Sequence, residues 1–180
     1  GSQVIGMGAD LYEKSSIAKD IFDEVDDTLG RKLTDIVFSG SQEILNKTEN
    51  AQPAITATSL ACFSVFKDKY KDFTPSVTAG HSLGEYTSLS ASNALSVSDT
   101  IRLVSERGRL MQIACDKNPG GMVAIIGMEI DVVEEVCREA GAYPSNINSS
   151  QQVIISGDND SLAIAVDLAK ARGAKKAIKL

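Results

Sequence analysis

The sequence has little of what metal sites and disulfide frameworks need. Its 180 residues include one histidine and three cysteines, and no two cysteines form a CxxC pair. Zinc sites are built from closely spaced cysteine and histidine ligands, so we expect no metal site. An odd number of widely spaced cysteines also argues against a disulfide framework. We expect Cys62, Cys115 and Cys137, which lie in apolar helical patterns, to be reduced core thiols of a cytoplasmic protein.

Long apolar runs and basic stretches are also scarce. No apolar run is long enough to cross a bilayer and no signal peptide is recognisable, so we expect no membrane association. The net charge of −6 at pH 7, without a basic stripe to offset it, argues against binding to nucleic acid. The one dense basic stretch, residues 170–179, is typical of a solvated helix end and an edge strand.

Residues 1–119 are predicted to be mainly helical. Apolar residues recur at helical spacing over 11–29 and stop at Gly30, a residue suited to a left-handed helix cap. A short helix is predicted around residues 33–37. Pro53 is predicted to open a longer helix, because proline is tolerated in a first helical turn.

The pattern changes at residues 76–79. This segment is short and contains β-branched residues, so we predict a buried strand that runs directly into Gly80. A helix over residues 82–91 follows. Ser96 and Asp99 have the spacing of a capping box and predict the start of the next helix.

A break at Asn118-Pro119-Gly120-Gly121 divides the chain into residues 1–119 and 120–180. Beyond it we predict strands at 122–126, 142–148, 152–156 and 174–180, and helices at 131–140 and 160–172. The order βαββαβ is that of the split-βαβ, ferredoxin-like unit. We therefore predict an α/β protein of two units.

Glycines lie two residues before and two residues after Ser82, in Gly80-His81-Ser82-Leu83-Gly84. A tight turn from strand to helix strains the serine backbone and exposes its hydroxyl, and the glycines remove side chains that would clash. The helix beginning there directs N–H groups toward an oxyanion, with Leu83 N–H as the natural donor. The pattern predicts a nucleophile for acyl chemistry. The alternative is a chance match, since GxSxG arises by chance in about one chain in eight of this composition.

Arg107 has apolar neighbours one helical turn away on both sides, at Leu103, Val104, Leu110 and Met111. We therefore expect it on the inward stripe of its helix. An arginine there is either tied into a buried ion pair or acts as a bidentate clamp on a carboxylate from outside the protein. The pattern alone leaves both interpretations open.

The single histidine, His81, adjoins Ser82. Adjacent side chains on a sharp turn diverge, so His81 is badly placed to take the serine proton and is expected to shape the pocket instead. The serine is thus left without a base within the chain. Gln52 is placed to cap the helix that follows it, and turn formation accounts for Asn146 and Asn148 ahead of a loop.

Together these motifs resemble those of the malonyl-CoA:acyl carrier protein transacylase family of acyltransferases. Residues 80–86 (GHSLGEY) resemble its nucleophile motif, and residues 106–112, with Glu-Arg-Gly and Met-Gln, resemble its arginine helix. Gln52-Pro53-Ala54 and Asn146-x-Asn148-Ser149 match two further signatures in order and spacing. Residues 1–7 resemble the tail of its N-terminal GQGSQxxGM motif, so the resemblance covers the whole chain.

The resemblance implies a partial α/β-hydrolase-like large subdomain and an inserted ferredoxin-like small subdomain. It implies an enzyme of fatty acid biosynthesis, a cytoplasmic monomer when intact, which needs no cofactor of its own. The enzyme would move a malonyl group from malonyl-CoA to Ser82, then to the phosphopantetheine thiol of an acyl carrier protein. Leu83 N–H would hold the oxyanion and Arg107 the malonyl carboxylate. The remaining implied substrate-binding residues are His81, Gln52, Met111, Asn146 and Asn148.

Two parts of the family pattern are missing. The glutamine that precedes position 1 and supplies half of the oxyanion hole is absent, and the chain stops at Leu180, before the family's catalytic histidine. We therefore expect a fragment with little or no turnover by itself. The alternatives left open are a serine esterase or thioesterase, a methylmalonyl-selective acyltransferase domain of a polyketide synthase, and a non-catalytic binding module.

Overall fold

A computed structural model of the chain describes residues 3–180 and has a mixed α/β fold. Gly1 and Ser2, which the sequence analysis assigns to an N-terminal motif, lie outside the described residues. The chain forms two compact units, Gly1–Ile113 and Ala114–Leu180, each with its own hydrophobic core. No helix in the described part of the chain is long and apolar enough to cross a membrane.

The first unit is built from helices. They are α1 (Ala9–Lys14), α2 (Ser16–Leu29), α3 (Leu33–Ser39), α4 (Gln42–Asn46), α5 (Thr48–Lys69), α6 (Gly84–Ala91) and most of α7 (Val97–Lys117). Gly30 ends α2 with a φ of 61°, the left-handed cap that was predicted. The short α4 was not predicted.

The core of the first unit lies largely between α2 and α5. Phe22 and Val25 of α2 are buried in the same cluster as Ala54, Ala57 and Ala61 of α5. The three alanines recur at helical spacing, and their small side chains let the two helices approach closely. Burial of a side chain as large as Phe22 contributes about 1.5–3 kcal/mol, so this contact fixes α5 in the unit.

Helix α5 begins five residues before Pro53, so the prediction that Pro53 opens the helix is wrong. Proline costs α5 only the hydrogen bond to the carbonyl four residues earlier, close to the helix start. The earlier start is supported from α7, because the Thr48 N–H donates to Gln112 Oε1 at 3.3 Å. A long-range side-chain contact of this kind has no local sequence signal.

Residues 76–79 do not form the predicted buried strand. They have no regular secondary structure, and Val77 is 82% exposed. A strand is stabilised by hydrogen bonds to a neighbouring strand, and the sheet found within residues 3–180 does not include this segment. The β-branched pattern therefore marks a segment that is suited to a strand but has no strand partner here.

The second unit contains one four-stranded sheet and two helices. The elements are β1 (Gly121–Ile126), α8 (Ile130–Ala140), β2 (Tyr143–Ser149), β3 (Gln152–Gly157), α9 (Asn159–Ala171) and β4 (Lys176–Lys179). The strands lie in the order β2-β3-β1-β4, and each neighbouring pair is antiparallel. Strands and helices follow one another in the order read from the sequence.

The two central strands supply the apolar face of this sheet. Val123 pairs with Ile155 and Ile125 pairs with Val153, and all four side chains are buried in one cluster with residues of α8 and α9. Because side chains alternate along a strand, residues two apart share a face. Both helices therefore pack on the same side of the sheet.

The cysteines are not all core residues. Cys137 is buried in the second core, and its burial raises the pKa of the thiol. Cys62 and Cys115 are exposed, so the prediction of three core thiols is wrong for these two. Both lie on long helices whose buried residues are concentrated nearer the N-terminal end, and apolar spacing alone does not show where that burial stops.

Candidate active site

Ser82 lies in a tight turn immediately before α6. Its φ of 54° falls in the left-handed region, which is uncommon for a residue other than glycine. Gly84 N–H donates to the His81 carbonyl at 2.9 Å, and Glu85 N–H donates to the Ser82 carbonyl at 3.2 Å. The strained serine predicted from GxSxG is therefore present, and its side chain is exposed.

The two glycines of the turn play different parts. A Cβ atom on Gly80 would lie 2.0 Å from the carbonyl carbon and oxygen of Gly84 and 2.4 Å from Glu85 N, whereas a Cβ on Gly84 would meet no described atom within 4 Å. Gly80 is thus required by the close backbone approach that forms the turn. The prediction that both glycines avoid clashes is confirmed for Gly80 and is wrong for Gly84.

We predict that Gly80→Ala destabilises the protein by about 1–3 kcal/mol, because overpacking at a backbone contact forces the turn to shift. Gly84→Ala is the matched control. It adds a methyl group to open space in the first turn of α6, where alanine is the better helix former. Urea unfolding of both variants measures the difference, and equal destabilisation by the two changes would contradict the assignment.

Leu83 is placed to supply an oxyanion donor. Its backbone N–H has no hydrogen-bond partner among the described residues, as is usual for the first amides of a helix. The Leu83 side chain packs against the core of the first unit, which fixes the turn. A free N–H and the positive end of α6 beside an exposed hydroxyl can stabilise negative charge on a carbonyl oxygen.

Arg107 reaches the same turn from α7. Its Nη2 donates to Ser82 Oγ at 2.9 Å, and its Nη1 donates to Gln52 Oε1 at 2.5 Å. The guanidinium carbon lies 5.9 Å from the centre of the Tyr86 ring, within the range of a cation–π contact. These contacts bring together residues that are 25 and 55 positions apart in the sequence.

The charge of Arg107 has no carboxylate partner among the described residues. Its neighbour Arg109 donates twice to Glu106, at 2.7 Å in each bond, whereas both hydrogen-bond partners of Arg107 are neutral. The ion-pair interpretation from the sequence therefore has no support in this part of the chain. A half-buried guanidinium beside an exposed serine hydroxyl can instead bind a carboxylate on a ligand.

The inward stripe predicted for α7 is wrong in detail. The buried residues of α7 are Thr100, Ile101, Val104 and Gly108. Leu103, Leu110 and Met111 are 46%, 53% and 42% exposed, and Arg107 lies half-buried beside the stripe.

The buried face of α7 differs from the predicted one because α7 makes a close contact at Gly108. A Cβ atom there would lie 2.7 Å from the Thr48 carbonyl oxygen, so the glycine lets α7 pack directly on the start of α5. The large apolar residues Leu103, Leu110 and Met111 led to the prediction of the wrong buried face for α7. Gly108 was the sequence signal for the packed face of α7, because a glycine allows another backbone to approach closely.

Gln52 is buried, with 6% of its surface exposed. Its Nε2 donates to Thr48 Oγ1 at 2.7 Å and to Met111 Sδ at 3.2 Å, while its Oε1 accepts from Arg107. Gln52 thus lies inside α5 and contacts the site, so the helix-capping interpretation is wrong. Thr48 was not predicted from the sequence, although its spacing of four residues from Gln52 is that of neighbours on a helix.

The remaining predicted residues do not join this group through described contacts. His81 is exposed in the turn. Asn146 and Asn148 belong to β2 of the second unit, where Asn148 Nδ2 donates to Gln152 Oε1 at 3.5 Å. Within residues 3–180, no group of three histidine, cysteine or carboxylate side chains is arranged to hold a metal ion.

Comparison with known proteins gives one consistent result. The family described as acyl transferase domain matches residues 1–180. The malonyl CoA-acyl carrier protein transacylase of Bacillus subtilis (strain 168) is 44% identical over 185 residues. That alignment covers 100% of this chain and 58% of the relative, so the chain spans less than two thirds of that protein's length.

Solved structures agree in fold. The crystal structure of an acyl carrier protein S-malonyltransferase from Vibrio cholerae is 40% identical with a TM-score of 0.90, covering 100% of this chain and 60% of that one. A type II PKS acyl-carrier protein in complex with its malonyl-transacylase gives 40% identity and a TM-score of 0.93, covering 100% and 59%. With a tight serine turn, an arginine hydrogen-bonded to that serine and a family match over residues 1–180, this chain belongs to the acyl transferase domain family.

Proposed function

We propose that the full-length protein transfers a malonyl group from malonyl-CoA to an acyl carrier protein through an ester on Ser82, in fatty acid biosynthesis. The observation that carries the proposal is the 2.9 Å hydrogen bond from Arg107 Nη2 to Ser82 Oγ, made by a guanidinium without a carboxylate partner in the described residues. The choice of malonyl as the acyl group and of acyl carrier protein as the acceptor is based on the names of relatives such as the Bacillus subtilis protein. The corresponding subdomains would be a partial α/β-hydrolase-like unit carrying Ser82 and a ferredoxin-like unit from residue 120.

In the first half-reaction, Ser82 Oγ attacks the thioester carbonyl of malonyl-CoA. An O–C bond forms, the carbonyl oxygen becomes an oxyanion held by Leu83 N–H, and the C–S bond then breaks to release coenzyme A. The serine proton passes to a base and on to the leaving thiolate. A histidine outside residues 1–180 is the proposed base, because His81 adjoins the nucleophile on a sharp turn.

In the second half-reaction, the phosphopantetheine thiol of the acyl carrier protein gives its proton to the base and attacks the ester carbonyl. A C–S bond forms, the C–O bond to Ser82 breaks, and the serine oxygen takes the proton back. The protein itself supplies no redox or metal chemistry in these steps. The thiol acceptor and the CoA donor use the same site in turn, which gives ping-pong kinetics.

Arg107 selects the acyl group. In a malonyl ester, one methylene separates the ester carbonyl from the free carboxylate, so a guanidinium at hydrogen-bond distance from Ser82 Oγ is close to that carboxylate. On binding, Nη2 would exchange its hydroxyl partner for a charged one, which is the stronger acceptor. His81, Gln52 and Met111 complete the proposed substrate site in the first unit, and a substrate-binding role of Asn146 and Asn148 stays a prediction from the resemblance.

A hydrolase is the second candidate, because a thioesterase uses the same turn with water as the acceptor. A simple esterase has no use for an unpaired guanidinium beside its nucleophile, so Arg107 favours a carboxylate-bearing acyl group. The transferase and the hydrolase differ in the acceptor of the acyl group, which is a thiol in the first and water in the second. Full-length protein with malonyl-CoA should load malonyl onto an acyl carrier protein faster than it releases free malonate, and the reverse order would favour the hydrolase.

Residues 1–180 alone are expected to transfer malonyl about 10,000-fold to a million-fold more slowly than the full-length protein. Removal of the general base costs that much in comparable serine enzymes. Coenzyme A release in the presence of acyl carrier protein measures both rates. Rapid transfer by the isolated residues 1–180 would contradict the proposed place of the base.

A further inference from the structure

We infer that Thr48 is a positioning residue, which orients Arg107 through Gln52 and so sets the preference for acyl groups that bear a carboxylate. The inference rests on the proposed function of Arg107. Among the described residues, the hydrogen bonds of Thr48 outside the helix backbone go to Gln52 and Gln112, and none goes to Ser82. It stands at the start of α5 and belongs to none of the motifs read from the sequence.

Four residues form one continuous chain of hydrogen bonds. Thr48 Oγ1 accepts from Gln52 Nε2 at 2.7 Å, Gln52 Oε1 accepts from Arg107 Nη1 at 2.5 Å, and Arg107 Nη2 donates to Ser82 Oγ at 2.9 Å. Thr48 and Gln52 are four residues apart on α5, so they lie on the same face of the helix. The chain ends at the nucleophile.

Chemistry fixes the direction of each bond. A guanidinium has only donors, so Gln52 must present Oε1 to Arg107 and its NH2 group to the opposite side. On that side the Thr48 hydroxyl is the strong acceptor, and the Met111 thioether at 3.2 Å is a weak one. The hydroxyl therefore holds the amide in the one orientation that serves Arg107.

Burial makes the Thr48 hydroxyl hard to replace. Gln52 is 6% exposed, so an amide N–H that lost its acceptor would find little water. The amide would then turn toward other partners, and Arg107 Nη1 would lose its anchor. The remaining contacts of Arg107, to Ser82 and the Tyr86 ring, both come from the nucleophile turn and α6.

The backbone of Thr48 is held independently of its side chain. Its N–H donates to Gln112 Oε1, and Gly108 packs against its carbonyl oxygen. Both residues belong to α7, the helix that carries Arg107. A Thr48→Val substitution therefore removes the hydroxyl while the backbone contacts between α5 and α7 remain.

We expect Thr48→Val in the full-length protein to lower kcat/KM for malonyl-CoA roughly tenfold, the effect of one lost hydrogen bond to a charged group. The rate with acetyl-CoA, which has no carboxylate, should stay within about twofold, because Ser82 and Leu83 are untouched. Thr48→Ser keeps the hydroxyl and should restore the malonyl rate. Single-turnover labelling of the protein with each thioester gives both numbers.

Thr58→Val is the matched control. It removes a threonine hydroxyl from the same helix, but that hydroxyl donates to the Ala54 carbonyl and has no hydrogen bond to the site within the described residues. It should leave both rates within about twofold of wild type. The acetyl rate of Thr48→Val also reports whether that variant is folded.

The inference is overturned if Thr48→Val lowers both rates equally, leaves both unchanged, or is not rescued by Thr48→Ser. If the wild-type protein transfers malonyl normally in the same assay, the proposed function survives that result. If the wild-type protein transfers no malonyl group at all, the proposed function fails first and the role of Thr48 fails with it.

Discussion

Replacement of Ser82 by alanine is expected to lower malonyl transfer by the full-length protein about 10,000-fold to a million-fold. In the proposed mechanism the Ser82 oxygen bonds to the acyl carbon, so no ester would form without it, while Arg107 and the start of α6 would still bind the substrate. Steady-state transfer from malonyl-CoA to an acyl carrier protein measures the loss.

Ser92→Ala is the control for this change. Ser92 is an exposed serine at the end of α6, and its hydroxyl donates only to the Leu89 carbonyl in the described residues. Its removal should leave the rate within about twofold of wild type. Because residue 82 has a positive φ, urea unfolding should accompany the assay to confirm that Ser82→Ala is folded. Transfer by a folded Ser82→Ala variant at more than a few per cent of the wild-type rate would exclude Ser82 as the nucleophile.

Replacement of Arg107 by alanine is expected to lower kcat/KM for malonyl-CoA about 100-fold to 1,000-fold, with little change for acetyl-CoA. Loss of a charge-assisted pair to a bound carboxylate accounts for an effect of that size. The kcat/KM of Arg107→Lys for malonyl-CoA should fall between those of the wild type and Arg107→Ala, since an ammonium cannot present two parallel N–H groups. The ratio of the malonyl rate to the acetyl rate is the quantity to measure.

Arg109→Ala provides the matched control. Arg109 lies two residues further along α7 and pairs with Glu106 on the exposed surface. Exposed pairs of this kind contribute little, so the ratio should not change. If Arg107→Ala lowered both rates alike, or neither, Arg107 would have a structural role and the esterase interpretation would gain support.

Local signals predicted the parts of the fold that depend on local interactions. Gly30 ends α2 as expected, and Ser96 Oγ accepts from Asp99 N–H at 3.0 Å as a capping residue should. The second half of the predicted capping box differs, because the Asp99 carboxylate accepts from the Ser96 hydroxyl at 2.8 Å. Strands β1 to β4 lie within three residues of their predicted positions, since each segment carries its own periodicity.

Non-local contacts account for the failures. Residues 76–79 have the composition of a strand, but a strand exists only beside another strand, and the sequence of one segment does not show its neighbours. The buried face of α7 was misjudged because Gly108, which allows contact with α5, weighs less in a periodicity than leucine or methionine.

The candidate site also has features that the local sequence indicates and features that depend on tertiary packing. Ser82 and Arg107 could be proposed from the sequence because a strained turn and an arginine among apolar residues are unusual, and the structure brings the two side chains together. Thr48 and the orientation of Gln52 were not found, because they depend on which helix faces which. The hydrogen bond between Arg107 and Ser82 also depends on tertiary packing, and it converts two separate motifs into one site.

The most direct test of the central claim, that Ser82 carries the malonyl group, is mass spectrometry of the full-length protein after mixing with malonyl-CoA. Digestion should place a single malonyl group on the peptide that contains Ser82, and addition of acyl carrier protein with its phosphopantetheine thiol should remove that group. Absence of any adduct together with absence of hydrolysis, or an adduct on a different residue, would contradict the account.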